Sequence, residues 1–117
     1  MLNDSGLSRV IELLDAELTV IAVGTGRAPV RTDTQLDGEL LRKSVSETLI
    51  DGNVLVKELY LDETEGNGTL TGLGLLGDGA TTTPGTGSLF ASSAANLVKN
   101  NTQSLTISFE IEIMEVA

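Results

Sequence analysis

The chain contains no cysteine and no histidine. Without thiols there is no disulfide framework, no zinc finger and no thiolate chemistry. Without imidazole, the usual proton shuttle near neutral pH is missing too. Tryptophan is also absent, and the aromatic residues are only Tyr60, Phe90 and Phe109. That leaves little with which to stack a sugar ring. Positive charge is scarce: 7 Lys and Arg stand against 17 Asp and Glu, for a formal charge of −10, and the longest basic run is Arg42-Lys43. Such a surface repels phosphate backbones and anionic lipid, so neither nucleic acid nor a membrane is an expected partner. The stretch from Leu2 to Leu18 is interrupted by Asp4, Arg9, Glu12, Asp15 and Glu17, so it reads neither as a signal peptide nor as a membrane span.

What is present points to a folded β protein. With 117 residues, 40% of them apolar, the chain suits one domain over residues 1–117 with one core. That core is built from Leu, Ile and Val, each contributing about 1.5–3 kcal/mol on burial. It is adequate but thin, and neighbouring copies or partners are expected to add to it. The clearest signal is the run from Ser104 to Val116, S-L-T-I-S-F-E-I-E-I-M-E-V. Leu105, Ile107, Phe109, Ile111 and Ile113 fall on one side of an extended chain, and Thr106, Ser108, Glu110 and Glu112 on the other. Period-two alternation of this kind describes a strand with one face on a core and one in water.

At the other end, Leu7, Val10, Ile11, Leu14 and Leu18 recur at helical spacing. They predict a helix over about residues 5–16, capped by Asp4 or Ser5. The β domain then spans about residues 18–116. Leu18 to Val23 is β-branched and almost continuously apolar, as expected of a strand buried on both faces. Arg27 to Asp37 reads as a loop stiffened by Pro29, and Leu36, Leu40 and Leu41 as anchors of a loop or single helical turn. Arg42–Ile50 and Val54–Leu61 flank Asp51-Gly52-Asn53, a hairpin signal with a three-residue connection. Leu70 to Leu76 is a glycine-interrupted strand, with Gly72 and Gly74 on one face. Glycine there leaves a side-chain-free surface for close approach of another backbone, or marks a bulge. Gly77 to Gly87 is expected to be a flexible tip, and Ser88–Ala91 and Asn96–Val98 two short strands. The expected fold is mainly β: an antiparallel β-sandwich or barrel-like sheet of about six or seven strands with one N-terminal helix.

No stretch carries a catalytic or cofactor signature. Gly24-Thr25-Gly26 lacks the third glycine of a dinucleotide loop, and no Gly-Lys-Ser or Gly-Lys-Thr phosphate loop occurs. Asp62 to Gly68 gathers oxygen atoms around a turn but lacks the ligand series of a twelve-residue calcium loop, so it reads as a solvated turn. A serine, threonine or lysine nucleophile would need an activating base that no motif supplies. Glu110 and Glu112 form a carboxylate pair on one strand face, but they stand without the aromatics that glycoside chemistry uses, and they read as a solvent face or a protected edge. Arg42 is expected to bind loop carbonyls or to pair with Asp33, Asp37 or Glu39, with subunit contact as the alternative. No enzyme activity, metal or cofactor is expected. The triplets Asn67-Gly68-Thr69 and Asn100-Asn101-Thr102 match a glycosylation acceptor by chance.

Several segments follow one another in a set order: the helix, Ile21-Ala22-Val23-Gly24-Thr25-Gly26, the loop with Pro29, Asp33-Thr34-x-Leu36 and Glu39-Leu40-x-Arg42. After them come Leu61-Asp62-x-Thr64-Glu65-Gly66-Asn67-Gly68, Gly72-Leu73-Gly74-Leu75, the Gly-Thr-rich loop before Leu89-Phe90-Ala91, and Lys99 leading into the last strand. In this order they resemble small structural proteins of tailed bacteriophages, of the tail-fibre and tail-collar-fibre kind. This chain departs from the family in having Gly72 and Leu76 where relatives tend to carry an acidic residue and an aromatic. The resemblance implies a non-enzymatic virion component, made in the host cytoplasm and working by repeated assembly, a homotrimer in the first place. Its partners would be itself and other virion proteins. A tail-associated fibre or adaptor is the first expectation, a capsid decoration protein the alternative, and a module binding a host-surface glycan the second alternative. Arg42, Gly72, Gly74, Glu110 and Glu112 are the candidate structural and assembly residues.

Overall fold

The helical spacing near the start is realised as α1, Asp4–Glu17, in a computed structural model that describes residues 1–115. Ile11 is buried, with Leu7 and Leu14 partly buried beside it. The residue at the N-cap position is Asn3, whose side chain makes no capping bond, so the expected cap at Asp4 or Ser5 is not formed. Both residues already lie inside the first turn, where Asp4 instead complements the positive end of the helix dipole.

Seven strands follow among the described residues, in two antiparallel sheets that pack as a sandwich and do not close into a barrel. The first sheet is ordered β2 (Glu39–Ser44), β1 (Val20–Gly24), β5 (Gly68–Gly77), β6 (Ser88–Lys99). The second is ordered β3 (Glu47–Asp51), β4 (Val54–Leu61), β7 (Leu105–Glu112). Leucine and isoleucine from both sheets meet between them: Ile21, Val23, Leu70 and Leu75 from one, Leu55, Leu59, Leu61 and Ile107 from the other, with Ile11 of α1 joining the cluster. A second, smaller cluster lies on the far face of the first sheet, where Val20, Ala22 and Leu76 pack under Leu36. The unbroken apolar run of β1 follows from this arrangement, because its odd-numbered residues serve one cluster and its even-numbered residues the other.

Several boundaries differ from the sequence expectation, each for a local reason. Leu40 and Leu41 belong to β2 and not to a loop or helical turn, because pairing with β1 sets Leu41 opposite Val23 and Arg42 opposite Ala22. The arm expected over Arg42–Ile50 is divided between the sheets: the Val45 N–H donates to the Thr19 carbonyl of one side, and the Ser46 N–H to the Glu58 carbonyl of the other. Asp51 pairs directly with Val54, so the hairpin connection is the two residues Gly52 and Asn53, with Gly52 at φ +60. The two short strands expected near the end of the chain are one strand, β6, of 12 residues. Its register against β5 shifts between Leu70 and Gly72 and again between Leu75 and Leu76. Bulges of this kind destroy the period-two pattern that a sequence reading relies on. In β7, Leu105, Ile107, Phe109 and Ile111 face the core, and Thr106, Ser108, Glu110 and Glu112 face solvent. The expected strand ran on to Val116, whereas β7 ends at Glu112; Val116 itself lies outside the described residues.

Candidate functional site

The outer face of the first sheet is closed by the protein's own loops, and Arg42 is the centre of that closure. Its side chain points away from the inter-sheet core and is buried, the residue being 5% exposed. Nε and Nη2 donate to the two carboxylate oxygens of Glu39, each at 2.9 Å, a fork-to-fork pair. Nη2 also donates to Gln35 Oε1 at 2.9 Å, and Nη1 to the carbonyls of Thr81 at 3.1 Å and Thr86 at 2.8 Å. Of the expected partners, loop carbonyls and Glu39 are therefore engaged, while Asp33 and Asp37 serve Arg27. Asp33 receives two Arg27 bonds of 3.1 Å, and Asp37 accepts the Arg27 backbone N–H at 2.7 Å. The Arg27 guanidinium, with the Val30 N–H, holds the Asp33 carboxyl below its usual range, and Asp33 in turn raises Arg27.

Gly72 and Gly74 lie beneath this cover. A Cβ on Gly72 would come within 3.2 Å of Pro29 Cδ, and one on Gly74 within 2.5 Å of Leu89 Cδ2 and 3.3 Å of Leu36 Cγ. The space over these buried glycines is thus taken by side chains, Pro29 and Leu36 of the loop and Leu89 of β6, and not by another backbone, while the register shift between Leu70 and Gly72 places the alternative, a bulge, beside Gly72. The Gly77–Gly87 segment is likewise tied down, not left as a free tip. Arg42 holds it from below, and the Thr86 hydroxyl bridges Thr81 and Thr83 within it. No sequence signal foretold this, because a threonine-rich loop reads the same whether or not an arginine lies under it.

Two buried lysines were also not singled out by the sequence. Lys57, 3% exposed, points between the sheets and donates to the carbonyl of Asp15 at 3.0 Å, to the Asp15 carboxylate, and to Thr48 Oγ1 at 3.1 Å. It thereby caps the C-terminal end of α1 and fastens it to β4. Lys99, also 3% exposed, donates to the Asp62 carbonyl at 2.7 Å and to Asn67 Oδ1 at 2.8 Å, closing the Asp62–Gly68 turn. In that turn the Thr64 hydroxyl and N–H hold the Asp62 carboxyl below its usual range. The Asp62 N–H and the Lys43 ammonium do the same for Glu65. Each of the three lysines is held by at least two acceptors, Lys43 by the Tyr60 carbonyl and Glu65. No three acidic residues converge on a metal position among the described residues.

Among the described residues two open surfaces stand out, an edge and a face. There β6 pairs only with β5, and unlike the other edge strands, β2, β3 and β7, it carries no charged residue from Ser88 to Val98. Phe90 and Val98 are exposed along it. The second open surface is the outer face of the three-stranded sheet, where the structure places Glu110 opposite Val56 and Glu112 opposite Val54. It brings these two together with Glu47 and Glu58, which lie directly opposite each other, and with Leu49 opposite Val56. Arg42 and the two glycines are on the other sheet, so the five residues singled out from sequence do not form one site. Glu47, Leu49 and Glu58 were missed because only strand register reveals which residues share a face. No family model and no curated protein matches the chain.

Proposed function

We propose that the protein is a non-enzymatic structural subunit of a tailed-bacteriophage virion, a tail-associated fibre or adaptor component that works by oligomeric assembly. The order of segments from the helix to the terminal strand supports the virion reading. The observation that carries assembly is the β6 edge. Long uncharged edges offer unpaired backbone donors and acceptors to a neighbouring chain, and proteins that stay monomeric usually place charge there. In a chain of charge −10, an edge without carboxylates is also where two copies approach with least repulsion. The buried cations, by contrast, are spent on holding loops and the helix in place.

Native mass measurement of the purified protein tests the assembly claim. A homo-oligomer is expected, a trimer in the first place, and Ser92→Lys with Ala94→Lys should reduce it to monomer while circular dichroism stays unchanged. A strict monomer at all concentrations would defeat the reading. Copy number in purified particles then separates tail from head: a few to a few dozen copies fit a tail component, and hundreds fit a decoration protein of the shell.

A further inference from the structure

Among the described residues, nothing from the chain itself covers the outer face of the three-stranded sheet, unlike the outer face of the other sheet. β4 brings Val54, Val56 and Tyr60 to it, and β3 sets Leu49 beside Val56. Leu49 and Tyr60 are each 48% exposed. Its compact part, Leu49, Val54 and Val56, is bordered by carboxylates at both ends and along β7, while Tyr60 lies beyond Glu58, opposite Thr106. Glu47 and Glu58 stand opposite each other at one end, Asp51 lies opposite Val54 at the other, and Glu110 and Glu112 line the β7 side. The single basic residue of these three strands is Lys57, and it points inward to Asp15 and Thr48. Like charges directly opposed in a ladder weaken it, and no cation on this face relieves the Glu47–Glu58 pair. Local rules broken without a compensating contact mark functional surfaces.

We infer that this face is a docking surface for another protein, one whose contact area presents a short apolar ridge flanked by lysine or arginine. The apolar strip supplies area to bury, and the carboxylates select the partner. A second copy of this chain fits badly, because face-to-face pairing about a two-fold axis sets carboxylates against carboxylates. Nucleic acid and anionic lipid are repelled in the same way. An uncharged apolar partner would strip water from the carboxylates at the rim and return nothing. Basic groups at the rim neutralise the Glu47–Glu58 pair and allow Leu49 and Val56 to be covered. This inference is independent of the virion reading and of the β6 edge.

The test is an amide NMR titration of the isotope-labelled full chain with a short acetylated peptide of alternating Lys and Val, and with its Glu and Val counterpart. The Lys peptide should shift Leu49, Val54, Val56 and Glu58, and the Glu peptide should shift none of them. Glu47→Gln with Glu58→Gln should keep the fold and weaken Lys-peptide binding by about tenfold or more, a difference well within reach of rim and centre charges. Glu12→Gln with Glu63→Gln, the same charge change away from this face, should leave binding unchanged. Equal weakening by both variants would reduce the effect to net charge and overturn the proposal. So would an absence of shifts on the sheet, or shifts of Leu49 and Val56 that grow with protein concentration alone, which would assign the face to a second copy.

Discussion

Arg42 and Lys57 are both buried cations on strands, yet their partners differ in access to water, and that difference sets the cost of removing each. Around Arg42 the paired Glu39 is itself nearly buried, with a side chain 13% exposed. Two loop carbonyls and the Gln35 amide oxygen also depend on the guanidinium. Taking the cation away strands an anion and several acceptors, so Arg42→Met should destabilise by about 3–5 kcal/mol, the range for breaking a buried pair by removing one partner. Asp15, the partner of Lys57, has a side chain 41% exposed and keeps its water when the ammonium is removed. Methionine fills the space of the lysine stem, and desolvation of the ammonium is no longer incurred. Lys57→Met should therefore cost no more than about 1–2 kcal/mol, the value of the lost bonds to Thr48 and the Asp15 carbonyl. Urea denaturation of the two variants checks the contrast; equal losses would mean that hydration of the partner does not decide the cost.

At the scale of elements, the loop over residues 78–87 is held by backbone geometry as well as by Arg42. Gly79 and Gly87 both have positive φ, +74 and +69. A Cβ on Gly79 would meet nothing within 4 Å, whereas one on Gly87 would fall against the Gly77 carbonyl oxygen and Ala80. Gly79→Ala should cost only the left-handed backbone penalty, about 1–2 kcal/mol. Gly87→Ala adds a backbone clash and should cost more, on the order of 3 kcal/mol. Thermal unfolding by circular dichroism separates the two, and indistinguishable midpoints would show that the loop gives way at no cost. The same loop shows where the sequence is readable and where it is not. The terminal strand and the doubly buried β1 were legible because their periodicities follow directly from which faces are covered. The β2 strand and the continuity of β6 were not, since one depends on a partner strand and the other is masked by two bulges. The Arg42 lock was half legible. Its pairing with nearby Glu39 could be read from proximity in the chain, but Thr81 and Thr86, far along the chain, could not. The acidic rim on the three-stranded sheet was legible only at Glu110 and Glu112, because Glu47 and Glu58 reach the same face through the register of β3 on β4 and of β4 on β7.

Across the whole molecule, charge acts in two opposed ways as the pH falls. The chain carries a formal charge of −10, so protonating carboxylates lessens its self-repulsion. Against this, Asp33 and Glu65 are held below their usual pKa by the bonds that lock the loop from Thr25 to Gly38 and the Asp62–Gly68 turn. A carboxyl whose folded pKa lies below its unfolded value contributes its full stability above about pH 5. That contribution is lost as the pH drops through the depressed value. Comparing the native chain with Asp33→Asn plus Glu65→Gln isolates this second effect, because the variant lacks the two titrating locks but keeps Glu47, Glu58 and nearly all of the remaining charge. Urea midpoints measured from neutral pH down to about pH 2 should show the variant less stable at neutrality. The gap should narrow through the acid range, to vanish once both carboxyls of the native chain are protonated. A gap that stays constant with pH would mean that the two side chains act through shape and neutral hydrogen bonding, and that the charge on Asp33 and Glu65 has no part in closing these loops.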